Sequence, residues 1–344
     1  MGVHDSGPSF VVSGDDNGES SLKDWIAQNP AALGHKVFTN WGPHLPFLFK
    51  ILSVAKALSI QAHPDKELAK QLHKSHPIAY KDDNHKPEMA LALSEFHALC
   101  GFISLQELKD MLQNTPEIKE VVNAEDANQL LQVNDEQNDG GLEIKSRLKS
   151  IFTRLMSASK EAAAESASNL KNRLQRESQG RELTEKENLV LQLEKQYPGD
   201  VGVIAALFLN YVKLKPGQAL YIGANEPHAY VAGECIEGRP EILKGFALNR
   251  YTTRYLPPFD EFEVDRCLLP GGESAVFPAV EGPSIFVIAS GEGAMLTAGS
   301  STRDAVVEGD VVFATADTEI SVRAGRTELH LYRAGVNSRF LQIL

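Results

Sequence analysis

Gln61 and His63 stand two residues apart in Ser59-Ile60-Gln61-Ala62-His63-Pro64-Asp65. Successive side chains of an extended strand alternate between faces, so this spacing predicts that both point to one side, with Ile60 and Ala62 on the other. Glu88 closes Asn84-His85-Lys86-Pro87-Glu88, and His228 lies in Asn225-Glu226-Pro227-His228-Ala229-Tyr230. One amide oxygen, one carboxylate and two imidazoles form a nitrogen and oxygen shell with room for water or substrate. Such a shell suits Zn2+, with other divalent ions of the first transition row as competitors. Taken singly, each of these side chains is more often a surface or loop residue, and spacing alone does not select the four.

Elements of two kinds must position them. Between residues 46 and 102, short apolar runs such as Phe47-Leu48-Phe49-Lys50-Ile51-Leu52 alternate with polar clusters, which predicts strands broken by loops and a short helix. At Ser104 the period changes. Ser104 and Glu107 form a capping box ahead of Leu105, Leu108, Met111 and Leu112 at helical spacing, and Thr184 with Glu187 repeats the pattern ahead of Leu189 and Leu193. Between them, residues 134–141 read as a loop, and Ile144, Leu148, Ile151 and Leu155 mark a helix continuing toward Leu174. Residues 201–211 are apolar nearly all round and predict a buried helix. Lys215-Pro216-Gly217 then turns the chain into Ala219-Leu220-Tyr221-Ile222, a strand. From Phe262 onward, runs such as Ile285-Phe286-Val287-Ile288 are separated by glycine-rich turns, the pattern of a jelly roll or barrel. The fold class expected is mixed α+β. Residues 1–102 and 213–258 make one β domain, 103–212 a helical insertion and 259–344 a C-terminal β domain.

Length and composition set the outer bounds. With 344 residues, 42% of them hydrophobic, the chain can fill two cores. A net charge of −12 without a long basic block argues against nucleic acid as a partner, while a few cations in a cleft can still attract a small anion. Three scattered cysteines, Cys100, Cys235 and Cys267, are expected as free thiols in the cytosol. No run is long and uncharged enough to span a bilayer.

Wording beyond the candidate ligands carries a resemblance. Pro46-Phe47-Leu48-Phe49-Lys50 followed by Ser59 through Lys66, Asn84-His85-Lys86-Pro87-Glu88-Met89, Leu214-Lys215-Pro216-Gly217, Gly223 through Tyr230, and Tyr251-Thr252-Thr253-Arg254-Tyr255-Leu256-Pro257-Pro258-Phe259 resemble type I phosphomannose isomerases, the last run plant members in particular. The resemblance covers nearly the whole chain. It implies cupin-like jelly-roll β domains with a helical insertion, one Zn2+ per monomeric chain, and interconversion of mannose 6-phosphate with fructose 6-phosphate on the way to GDP-mannose.

The same resemblance puts the metal ligands at Gln61, His63, Glu88 and His228, the four that side-chain chemistry nominates. It puts Lys50 and Ser59 beside the substrate phosphate or its approach, and Lys86, Tyr230 and Glu237 at the reacting end of the sugar. Bland readings compete: Lys50 and Lys86 as solvated lysines, Ser59 as a backbone partner, Tyr230 as a packing residue. Two departures accompany the likeness. Family members follow the Glu-Cys-Ile-Glu stretch with several dozen residues that include an Arg contacting phosphate and sugar. Here Glu237 runs directly into Gly238-Arg239-Pro240-Glu241. Residues 1–9 resemble an internal family segment, so the expectation is a chain shortened at its start and after Glu237, with a catalytically impaired sugar-phosphate or metal-binding relative as the alternative function.

Overall fold

Strand Glu88–Ala92 has two buried faces. Met89 and Leu91 enter one apolar cluster, and Ala90 and Ala92 enter another. A strand covered on both sides must lie inside a sheet and between layers. In the computed structural model, which describes residues 1–4, 7–12, 20–122, 124–132, 142–236, 242–300 and 302–342, it does.

Its seven-stranded sheet runs Leu209–Leu214, Phe96–Phe102, His228–Ile236, Glu88–Ala92, Ala219–Ile222 and Ile242–Leu243, with Ile51–Val54 also paired to His228–Ile236. The long strand His228–Ile236 joins the two halves. Its residues from His228 to Ala232 pair with Phe96–Phe102, and those from Gly233 onward pair with Ile51–Val54 and Glu88–Ala92. Gly233 permits the change of partner: it has φ 101°, and a Cβ there would stand 2.2 Å from the Glu95 carbonyl oxygen. The sheet therefore curls, and Ala90, Ala92, Ala98, Phe96 and Tyr230 fill its inner face.

Each outer flank is covered differently. Leu99, Ala229 and Val231 pack against the helical block. Met89, Leu91 and Ala219 pack against Leu22, Ile26 and Val37 of the N-terminal helices and against Val264, Ile285, Val287 and Tyr332 of the C-terminal sheet. The helical block starts at Leu105–Asn114, and both predicted capping boxes, Ser104 with Glu107 and Thr184 with Glu187, are formed. The helix expected to run on toward Leu174 is instead two, Leu142–Met156 and Lys160–Glu177. The Ser159 hydroxyl caps the second by accepting from the Ala162 N–H. The helix expected over 201–211 is also shorter. Val201–Ala205 and the 3-10 turn Ala206–Phe208 give way to strand Leu209–Leu214. An apolar run buried all round has no period to separate helix from strand, and the open edge of Phe96–Phe102 takes up residues 209–214. The predicted loop 134–141 lies outside the described residues.

The C-terminal body is a jelly-roll-like pair of sheets. Six strands, Phe246–Ala247, Thr252–Tyr255, Glu263–Leu269, Leu329–Gly335, Ser284–Ser290 and Val311–Ala314, face four, Ser274–Phe277, Ile320–Ala324, Glu292–Thr297 and Asp304–Val307. Phe277, Phe286, Ile288, Met295 and Leu331 fill the space between. Phe246–Ala247 and Thr252–Tyr255, expected with the first β domain, thus belong to the second sheet. At one end of this body, Asp265 (0% exposed) accepts both arms of Arg254 at 2.7 and 2.8 Å, and Arg333 bridges Asp265 and Glu263 at 2.9 and 3.2 Å. Buried charges persist only when paired, and removing one partner strands the others. Arg333→Met should therefore lower stability by about 3–5 kcal/mol in urea unfolding; a loss below about 1 kcal/mol would show that the pairs carry no such load.

Candidate metal centre

Three segments reach the mouth of the curled sheet. Glu88 opens its strand on the inner face shared with Ala90 and Ala92. His228 opens the long strand, with Cys100 as its register partner on one side and Gln61 bridged to it on the other. The predicted strand at 59–65 is reduced to that single bridge, with Gln61 N–H donating to the His228 carbonyl and His228 N–H to the Gln61 carbonyl, both at 2.8 Å. Pro64 has no N–H with which to extend the ladder, and Asp65 next caps helix Lys66–Ser75 through the Leu68 N–H. Asn225 locks the arrangement. In the left-handed region at φ 65°, its backbone N–H donates to the His63 carbonyl at 2.7 Å and its side-chain amide to Asp65 at 2.9 Å.

His63 Nε2 lies 2.8 Å from Glu88 Oε1, His228 Nε2 lies 3.4 Å from Glu88 Oε2, and the two rings are 5.4 Å apart. One ligand atom from each of the three falls within 4.8 Å of the others. Both Nε2 atoms are buried, yet neither makes a hydrogen bond of acceptable geometry, despite the short approach to Glu88. On the far side of its ring, His228 Nδ1 stands 3.1 Å from the Glu226 carbonyl, which requires Nδ1–H, so that in the neutral ring that a metal would bind, the lone pair is on Nε2, facing the centre. Buried polar atoms without partners are costly, and a divalent cation among two imidazoles and a carboxylate would satisfy them. Burial by itself would push the Glu88 carboxyl up, but the His228 and His63 side chains outweigh it and hold it at about 2.

The centre opens into a cavity of about 1090 Å³ lined by Gln61, His63 and Glu88 together with Lys23, Lys50, Lys81 and Lys86. Four lysines line this cleft beside Asp82, Asp83 and Glu88, so cations are at hand for a small anion in a chain whose net charge is −12. Of the residues singled out from sequence, Gln61, Lys50 and Lys86 therefore line the same space as the cluster. Ser59 is exposed and is not among the lining residues. Tyr230 is 4% exposed, packed edge-on against Phe96 with its ring 6.3 Å from that of His228, and does not line the cavity either. Glu237 and Arg239 lie outside the described residues. Sequence reasoning missed Lys23, Lys81, His44 and His73 on the cavity wall, because ordinary side chains at unpatterned positions give no signal. It also missed Asn225, although an Asn in the run before His228 is a residue type that tolerates positive φ.

A curled β fold with an inserted helical block and this cluster at its mouth defines a cupin-like protein with a candidate divalent-metal centre. The pattern of the phosphomannose isomerase type I catalytic domain matches residues 1–105, and that of the type I helical insertion domain matches residues 117–209. Mannose-6-phosphate isomerase 1 of Arabidopsis thaliana is 53% identical, over 99% of this chain and 85% of its own length; Mannose-6-phosphate isomerase 2 of the same plant is 51% identical over 100% and 85%. The first alignment spans 372 positions, more than the 344 residues here, so that relative carries residues with no counterpart in this chain. Salmonella typhimurium mannose 6-phosphate isomerase, solved bound to substrate (f6p) and a zinc atom, shares the fold with a TM-score of 0.79 at 24% identity, over 98% of this chain and 90% of that one. The chain belongs to the type I phosphomannose isomerase family.

The Glu88 carboxyl, held below the ordinary value of 4.5, contributes stability to the metal-free protein above that pH and loses it as pH falls toward about 2. Urea unfolding of metal-free wild type and Glu88→Gln should therefore show a stability gap that is widest near neutrality and narrows below about pH 4.5. A gap independent of pH would contradict the pairing of Glu88 with the two imidazoles.

Proposed function

We propose that this chain is a metal-dependent aldose-ketose isomerase that interconverts mannose 6-phosphate and fructose 6-phosphate, with one Zn2+ held by His63, Glu88, His228 and Gln61. The observation that carries the reading is the convergence of two buried imidazole nitrogens and a carboxylate at the mouth of a lysine-lined cavity. Similarity to isomerases over most of their length supports the substrate.

Moving the carbonyl between C1 and C2 means removing the proton on the carbon beside it, passing through a cis-enediol and returning a proton to the neighbouring carbon. Bound zinc would supply a Lewis acid that polarises or orients the sugar oxygens, worth several kcal/mol. Lys86, on the cavity wall, would stabilise the negative charge that develops on the enediolate oxygens. Glu237 remains the proposed base, on family resemblance alone. A base held in place contributes about 10²–10⁴-fold. Lys50 would attract the phosphate, with Ser59 near its approach. Tyr230, buried behind His228, would hold that ring in place and not touch the sugar. The reaction would run in the cytosol, in a monomeric chain, and feed GDP-mannose synthesis. Three buried free thiols agree with a reducing setting. The alternative of an impaired relative rests on the residues missing after Glu237 and gains nothing from the intact cluster.

Protein reconstituted with zinc should bind about one equivalent and turn over mannose 6-phosphate. His228→Ala should lose the metal and activity together, whereas Lys86→Met should keep the metal and lose about 10²-fold in kcat. One equivalent of zinc without turnover in wild type would overturn the isomerase reading and restore the impaired one.

A further inference from the structure

Glu261 is a buried carboxylate, 7% exposed, that lies two residues before Glu263 yet points away from the Arg254 and Arg333 network. Its Oε1 meets Nε2 of His85 at 2.7 Å, across 176 residues of sequence. The two ends of this contact differ in how firmly they are held. Asn337, with no exposed surface, donates its side-chain amide to the carbonyls of Pro257, Phe259 and Phe262 at 3.0, 2.7 and 3.3 Å, which pins the turn that carries Glu261. Phe259 packs on Phe262 at 4.8 Å and stacks on Tyr221 at 6.0 Å, and Tyr221 is the cross-strand partner of Met89, beside Glu88. By contrast, no helix or strand lies between Ser75 and Glu88, and Asn84 and Lys86 on either side of His85 are exposed. The carboxylate is the anchor, and the loop is what it holds.

We propose that Glu261, presented by the C-terminal β body, is a positioning residue for the reaction: by holding the His85 imidazole it sets the loop that carries Lys86 into the cavity. The second β body then takes part in catalysis through a residue that does not line the cavity. Displacing a cationic group by about 1 Å can cost 10²-fold in rate, so a tether of this kind is worth its buried charge. The inference rests on the function proposed above, because Lys86 has this task only when a sugar phosphate enters the cavity.

The test compares zinc-loaded wild type with Glu261→Ala and Glu261→Gln. Three readouts apply: hydrogen exchange of residues 76–87, zinc content, and kcat and KM separately. Glu261→Ala should exchange faster across that loop and lose about 10–100-fold in kcat. Its KM, zinc content and exchange in Glu263–Leu269 should stay as in wild type. Glu261→Gln, which keeps an acceptor for the His85 N–H, should recover most of the loop protection. Unchanged loop exchange in Glu261→Ala, a loosened loop with unchanged kcat, or faster exchange throughout Glu263–Leu269 would each overturn the proposal. Zinc-loaded wild type without turnover would sink the isomerase reading and the catalytic half of this inference with it. Loop exchange would still decide whether Glu261 tethers the loop.

Discussion

Two buried imidazole nitrogens and a carboxylate, converging on one space, are the most demanding feature of this chain. Glu88 approaches both histidines without meeting hydrogen-bond geometry at either Nε2, so the polypeptide holds a costly arrangement that a cation would complete. Much of the surrounding structure serves to keep it. Gln61 and His228 exchange backbone hydrogen bonds, Asn225 ties the His63 carbonyl to the turn before His228, and the Glu226 carbonyl sets the His228 tautomer. None of these contacts belongs to the candidate metal shell, yet each fixes where an atom of that shell stands.

The curled sheet makes the convergence geometrically possible. His228–Ile236 changes partners at Gly233, so its first residues face Phe96–Phe102 while its last face Ile51–Val54 and Glu88–Ala92. A flat sheet would leave His228 and Glu88 on separate ladders. Alanines at 90, 92 and 98 keep the inner face narrow enough for Phe96 and Tyr230 to fill it from behind. The helical block and the C-terminal body each bury one outer flank, so the site's frame is supported from both sides.

The candidate metal cluster and the capping boxes were legible from sequence because each depends on residues near one another in the chain or on wording shared with a family. His63, Glu88 and His228 stand in dense local motifs; Ser104 with Glu107 and Thr184 with Glu187 act over three residues. What escaped depends on partners far away. Strand Leu209–Leu214 exists because Phe96–Phe102 needs an edge partner, and nothing within the apolar run declares it. The N-terminal helices Leu22–Gln28 and His35–Trp41 went unread, being two turns each and separated by Pro30, too short for a period to register. Glu261 carries no local signal in the sequence, and only its meeting with His85 gives it meaning.

Zinc K-edge X-ray absorption on the loaded protein tests the centre most directly. The structure predicts a shell of nitrogen and oxygen scatterers at about 2.0–2.2 Å with the multiple-scattering signature of two imidazoles and no sulfur. Sulfur scatterers at about 2.3 Å would bring the buried cysteines into play and contradict the account, as would a spectrum without imidazole.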